Sequence, residues 1–252
     1  MTQPKYYAVL TGDIVKSSRL RPSQQESVRA SLIKAVEVAR GWKRGVVTGK
    51  PEFFRGDAWQ LLLADAAMAM RVGIFLRASL LAKGLADTRI AIGLGEVAKV
   101  SSNRISLSMG QAFSLSGQAL DKMTQYSNIT IEIPKSAGPL SNWLPVIGHL
   151  CDSLIGQWTS RQAEIVRAAL DPREPDHEKV ARALHPTISK QAVAKALSGA
   201  NWYAIREAMH LFEATSWETV LRPQKSATTK NSCLLLDNQK RLSAPRQPKK
   251  VV

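Results

Sequence analysis

Tyr6-Tyr-Ala-Val-Leu-Thr-Gly-Asp13-Ile-Val and Glu52-Phe-Phe-Arg-Gly-Asp57-Ala-Trp-Gln-Leu-Leu-Leu each set a Gly-Asp pair beside an apolar, strand-like run. If the first run is strand one of a βαββαβ unit and the second is the hairpin joining strands two and three, both turns fall at one edge of one sheet. Asp13 and Asp57 are then expected to converge. Two carboxylates beside backbone-exposing Gly12 and Gly56 suit Mg²⁺ on a nucleotide phosphate, because Mg²⁺ takes one or two protein carboxylates and completes its shell with water and phosphate oxygen. Ser17 offers a hydroxyl to such a phosphate, Arg19 and Arg55 offer positive charge, and Glu96 at a strand end is a candidate third carboxylate. The plainer reading is that these are turn residues, since Gly and Asp dominate turns in any case.

Working outward, apolar periodicity predicts a strand near 6–12, a helix over 22–40 with a Ser23-x-x-Glu26 capping box, a hairpin over 46–54 and 58–63, a helix from Ala64 to Ala82, and a strand from Thr88. A helix near 110–124 and a strand at Ile129–Ile133 complete the expected α+β, ferredoxin-like sandwich over residues 1–135. Three prolines and a glycine from Pro134 to Pro145 predict a break, and 136–157 reads as a linker.

A small all-α unit is expected over 158–218. Thr159-x-x-Gln162 is a capping box, Asp176 and Ser189 are candidate caps for two further helices, and the short helix, turn, helix spacing is that of a helix-turn-helix. In the last of these helices Ala192, Val193, Ala196 and Leu197 are expected to pack inward. That leaves Lys190, Gln191, Ala194, Lys195 and Ser198, with Ser189 at the start, as the face for a DNA major groove: Gln pairs with adenine, Lys reaches guanine or phosphate, and Ala and Ser permit close approach. A solvated polar face on a packing module is the alternative. Residues 219–252 read as a disordered basic tail, low in aromatics and rich in Lys and Arg.

The 252-residue chain carries 35 Lys and Arg against 20 Asp and Glu, a net charge of +15, with a pI near 10.1. A polyanion, DNA first, is the simplest partner for such a charge. Cys151 and Cys233 lie far apart without CxxC spacing, which argues against a disulfide framework or zinc site and for a reducing cytoplasm. No basic-then-apolar leader and no long apolar run appears, so neither secretion nor membrane insertion is expected.

Asp13-Ile-Val, Gly56-Asp57, Arg89-Ile-Ala-Ile-Gly-Leu-Gly-Glu96-Val and Gly110-Gln-Ala-Phe-Ser-Leu-Ser-Gly-Gln-Ala-Leu120 resemble, in order and spacing, the class III nucleotidyl cyclase catalytic domain. The resemblance implies metal binding at Asp13 and Asp57. Ser114 and Gln118 stand where that family has a ribose-binding Asn and a transition-state Arg, and Phe53 and Leu107 replace its purine-reading Lys and Asp. Loss of a positive charge where negative charge develops points away from catalysis. With Ile188-Ser-Lys-Gln-Ala-Val-Ala-Lys195 included, nearly the whole chain to about residue 218 is similar to the SatD-like group, which implies a degenerate cyclase-type domain followed by a helix-turn-helix. The expected function is a DNA-binding transcriptional regulator whose first domain senses a nucleotide or forms a homodimer. The alternative is a divergent cyclase or nucleotidyltransferase using Mg²⁺ at Asp13 and Asp57.

Overall fold

A computed structural model describes residues 6–54, 56–100, 105 and 108–222. The first elements are β1 (Tyr6–Ile14), α1 (Pro22–Arg40), β2 (Val47–Phe54), β3 (Ala58–Leu63), α2 (Ala69–Leu81) and β4 (Thr88–Lys99). Strands pair antiparallel in the order β2-β3-β1-β4, with β1 central; β5 (Met109–Gly110) pairs with β4 near Val97, and β6 (Ile129–Glu132) runs parallel to β4 along Ile90–Gly93. The chain is therefore α+β, with β1 opposing β3 on one side and β4 on the other. α3 (Gln111–Lys122) lies between β5 and β6 in sequence and packs on β4 and β1.

Strand alternation divides the interior. Ala8, Leu10 and Ile14 of β1 belong to the main core with Val28, Leu32 and Val36 of α1 and Val72 and Leu76 of α2. Val9 points the other way, clustering with Leu62, Ile105 and Ala112 under α3. Helix α1 spans the expected 22–40, but its start differs. Pro22 is the first helical residue and Arg21 the cap, with the Gln24 side chain accepting from the Arg21 N–H at 3.0 Å, so Ser23 and Glu26 do not form the capping box.

The stretch read as a linker is instead mostly helix: α4 spans Leu140–Ile155 and packs on β6. Its prolines do not break it. Pro139 precedes the first turn, where no intrahelical N–H is needed. Pro145 lies inside, and the Ser141 carbonyl that it cannot bond accepts from Lys135 Nζ at 3.3 Å. Proline composition alone does not reveal that substitute donor.

Five more helices follow: α5 (Ser160–Ala169), α6 (His177–Arg182), α7 (Lys190–Gly199), α8 (Trp202–Ala214) and α9 (Trp217–Leu221). The caps at their starts are those expected, with Thr159 and Gln162 forming a reciprocal box, Asp176 accepting from the Lys179 N–H at 2.8 Å and Ser189 from the Ala192 N–H at 3.1 Å. These helices share one compact unit with the sheet, since α2 packs against both α5 and α8. Arg71 of α2, almost fully buried, donates to both Glu213 carboxylate oxygens of α8 at 2.5 and 2.8 Å and to the Leu170 carbonyl at 3.1 Å. Of the stretch expected as a tail from 219, the residues to Leu221 belong to α9; 223–252 lie outside the described residues.

Arg77 of α2 is fully buried. It meets Asp87 at 2.8 and 2.9 Å and Asp152 of α4 at 2.5 Å, while the second Asp152 oxygen accepts from the Asn128 N–H at 2.7 Å ahead of β6. Burial, the largest influence, disfavours its charge, but the two carboxylates outweigh it and hold the pKa above the ordinary arginine value. Removing one partner of a buried pair costs far more than the pair contributes over an apolar substitute, because the remaining charge is left unpaired. Arg77→Met, which strands Asp152, is expected to lower unfolding free energy by about 3–5 kcal/mol in urea denaturation followed by circular dichroism.

Candidate functional site

Asp13 is the eighth residue of β1 and sits directly across from Arg89 of β4. Arg89 Nε donates to Asp13 Oδ1 at 2.9 Å, its terminal nitrogen donates to Oδ2, and its other terminal nitrogen reaches the Met123 carbonyl at the end of α3 at 3.3 Å. The hydrogen bonds to Asp13 hold the Arg89 pKa above its ordinary value, opposed by partial burial and helped by the charge of both Asp13 and Asp57. Both acids therefore lie within electrostatic reach of one guanidinium at one sheet edge.

They do not share a pocket. Ile14 faces the cleft between α1 and the β2–β3 hairpin, so its neighbour Asp13 is directed to the opposite side of the strand. Asp57 does line that cleft, with Ser17, Gln25, Arg29, Phe53 and Gly56, and it accepts from Ser17 Oγ at 2.5 Å. Arg29 lies over the Phe53 ring at 4.9 Å and reaches the Gly56 carbonyl at 3.4 Å, a cation placed against the hairpin that the sequence did not flag. Gly56 has φ of 86°, in the left-handed region that favours glycine, so it shapes the turn. The cleft holds about 10 Å³, room for one water, against the 300 Å³ or so at which ligand pockets begin.

Gly12 serves packing. A Cβ there would come within 2.5 Å of the Arg89 carbonyl oxygen and of the Trp59 ring. Arg19 is exposed on the turn after β1, and Arg55 lies outside the described residues, as does Leu107. Glu96 stands opposite Tyr6, whose hydroxyl it accepts at 3.4 Å, seven residues and about 24 Å along β4 from Arg89. It is therefore remote from both aspartates. Ser114 and Gln118 are exposed on α3, and Ser114 Oγ bonds back to the Gly110 carbonyl at 3.5 Å.

Both Asp13 oxygens are engaged by Arg89, and among the described residues no three His, Cys, Asp or Glu side chains converge. A divalent ion must first displace a guanidinium.

The second candidate surface is α7. Val193 and Leu197 are buried, Ala194 and Ala196 half-buried, and Lys190, Gln191, Lys195 and Ser198 exposed. Ala192 is exposed rather than inward, because the buried stripe runs through Val193, Leu197 and Ala200, to one side of it. Ser189 spends its hydroxyl on capping. Seven residues separate α6 from α7, more than the three or four of the usual motif. The charge is not where the motif is: residues 158–218 hold eight Lys and Arg against eight Asp and Glu, whereas 1–157 hold nineteen against eleven and 223–252 seven against one.

No family model and no curated protein matches this chain. Among the described residues no helix is long and apolar enough to cross a membrane.

Arg89→Ala frees Asp13 while Asp57 stays near. Magnesium at about tenfold its dissociation constant for the vacated site then contributes about 1.4 kcal/mol, a rise of roughly 4 °C in melting temperature for a domain of this size. Differential scanning fluorimetry is expected to show that rise in the variant and none in the parent chain.

Proposed function

We propose that this chain is a DNA-binding regulator in which α6 and α7 act as a helix-turn-helix and the first 135 residues form a ferredoxin-like, cyclase-type body that has kept the shape of a nucleotide enzyme without its working parts. The observation that carries this reading is the solvent-facing side of α7, where Lys190, Gln191, Lys195 and Ser198 stand clear above a packed Val193 and Leu197. Gln191 presents a carbonyl and an amide to adenine, Lys190 and Lys195 reach guanine or phosphate, and the small neighbours keep the helix close to base edges.

Charge decides how the work is divided. A module with equal numbers of acids and bases contributes little net attraction to phosphate, so it reads bases while affinity comes from the basic body and the Lys/Arg-rich end. The nucleotide-sensing role assigned to the Asp57 cleft requires the β2–β3 hairpin to swing away from α1, given a water-sized space. The Mg²⁺-dependent enzyme requires Arg89 to leave Asp13. Both are less direct than DNA binding by α7, and the SatD-like and cyclase resemblances fit a body retained for architecture.

Fluorescence anisotropy with a pool of random duplexes, read against salt, tests the proposal. Lys190→Ala and Lys195→Ala are each expected to reduce the slope of log affinity against log salt by about 1, whereas ending the chain at Arg222 reduces it by several. Gln191→Ala is expected to leave the slope unchanged and lower enrichment of any selected sequence by about 1–3 kcal/mol at one base position. Absence of duplex binding at low salt overturns the proposal; Mg²⁺-dependent turnover of a nucleoside triphosphate that Asp13→Ala abolishes replaces it with the enzyme.

A further inference from the structure

Helix α4 turns an uncharged side to solvent. Of its sixteen residues, Asp152 is the one Asp, Glu, Lys or Arg, and it is buried against Arg77. Outward stand Trp143, 62% exposed, Val146, 47% exposed, and Leu150, 60% exposed, spaced i, i+3 and i+7 as one stripe. Beside the stripe a groove of about 510 Å³ runs between α4 and α8, walled by Leu144, Cys151 and Phe212, with Leu211, 69% exposed, on its far lip. Isolated apolar residues on a surface need no explanation, but a contiguous patch of four large ones does.

We infer that this face docks a second copy of the chain about a two-fold axis that crosses the two α4 helices antiparallel near Val146 and Ile147. Three observations select that occupant. One face supplies both a ridge, Trp143 to Leu150, and a groove of matching character, which is what a surface that packs on itself requires. The stripe is free of charge in a chain of net charge +15, so two copies meet where their like charges are absent. The exposed parts of the four side chains amount to about 400 Å² per copy, and with half-buried Ile147 and Leu154 the two copies together come to roughly the 1,000 Å² of a specific interface. An apolar small molecule in the groove leaves Trp143 and Val146 in water; a second copy covers them. Trp143 and Leu150 lie equally far from the axis, so Trp143 of one copy meets Leu150 of the other. The inference is independent of whether α7 binds DNA.

Sedimentation of the full chain at micromolar concentrations is expected to give twice the 27.6 kDa chain mass. Leu150→Glu and Trp143→Arg, both at exposed sites and so expected to keep the parent circular dichroism spectrum, should each run as monomers. An equimolar mixture of the two should recover a dimer, because the antiparallel arrangement then sets one introduced pair of opposite charges together and leaves one Trp143–Leu150 contact intact. A monomeric parent chain overturns the inference, as do dimers that survive both substitutions, a mixture that stays monomeric, or a monomer whose groove takes up an apolar fluorescent probe.

Discussion

The buried guanidinium of Arg77 is the constraint on which the two halves of the fold meet. It carries a full positive charge into the core of α2, and only the simultaneous presence of Asp87 before β4 and Asp152 on α4 makes that tolerable. Asp152 in turn accepts from the Asn128 backbone ahead of β6, so one side chain fixes α2, the entry to two strands and α4 in a single arrangement. With α4 held in that way, its charged residue is inside and its apolar stripe is outside. The uncharged face that we assign to self-association is thus a consequence of the same ion pairs that close the core.

Arg71, six residues earlier on α2, does for α8 what Arg77 does for α4. Helix α2 is therefore a central mast: one guanidinium binds the helix after the sheet, the other binds the helix after α7. Helix α7 is thereby presented from a framework fixed to the sheet, as the groove-reading role that we propose for it requires. The same economy appears at the sheet edge, where Arg89 neutralises Asp13 and senses Asp57.

Much of the architecture was legible in local pattern. The alternation of β1, the 22–40 periodicity of α1 and the Thr159, Asp176 and Ser189 caps rest on side chain to backbone geometry within a few residues, and the structure has them where the pattern put them. Helix α4 was not legible, because its second-turn proline is tolerated through Lys135, a residue outside the helix. The site was half legible. The two Gly-Asp turns do reach one edge, but which face of the strand each acid takes depends on strand phase, and the identity of the residue opposite Asp13 depends on register between strands that lie 76 positions apart.

The amino-acid sequence by itself determined most of the elements, the caps of α5, α6 and α7, the excess of positive charge and the neutrality of the 158–218 segment, because each follows from composition or from spacing along one chain. Only the tertiary structure decided that Asp13 is paired with Arg89, that the Asp57 cleft is closed down to a water's width, and that the uncharged side of α4 is left uncovered beside α8. Those outcomes depend on what long-range packing sets opposite each residue, and a carboxylate or an apolar side chain carries no mark in sequence of the neighbour that will satisfy it.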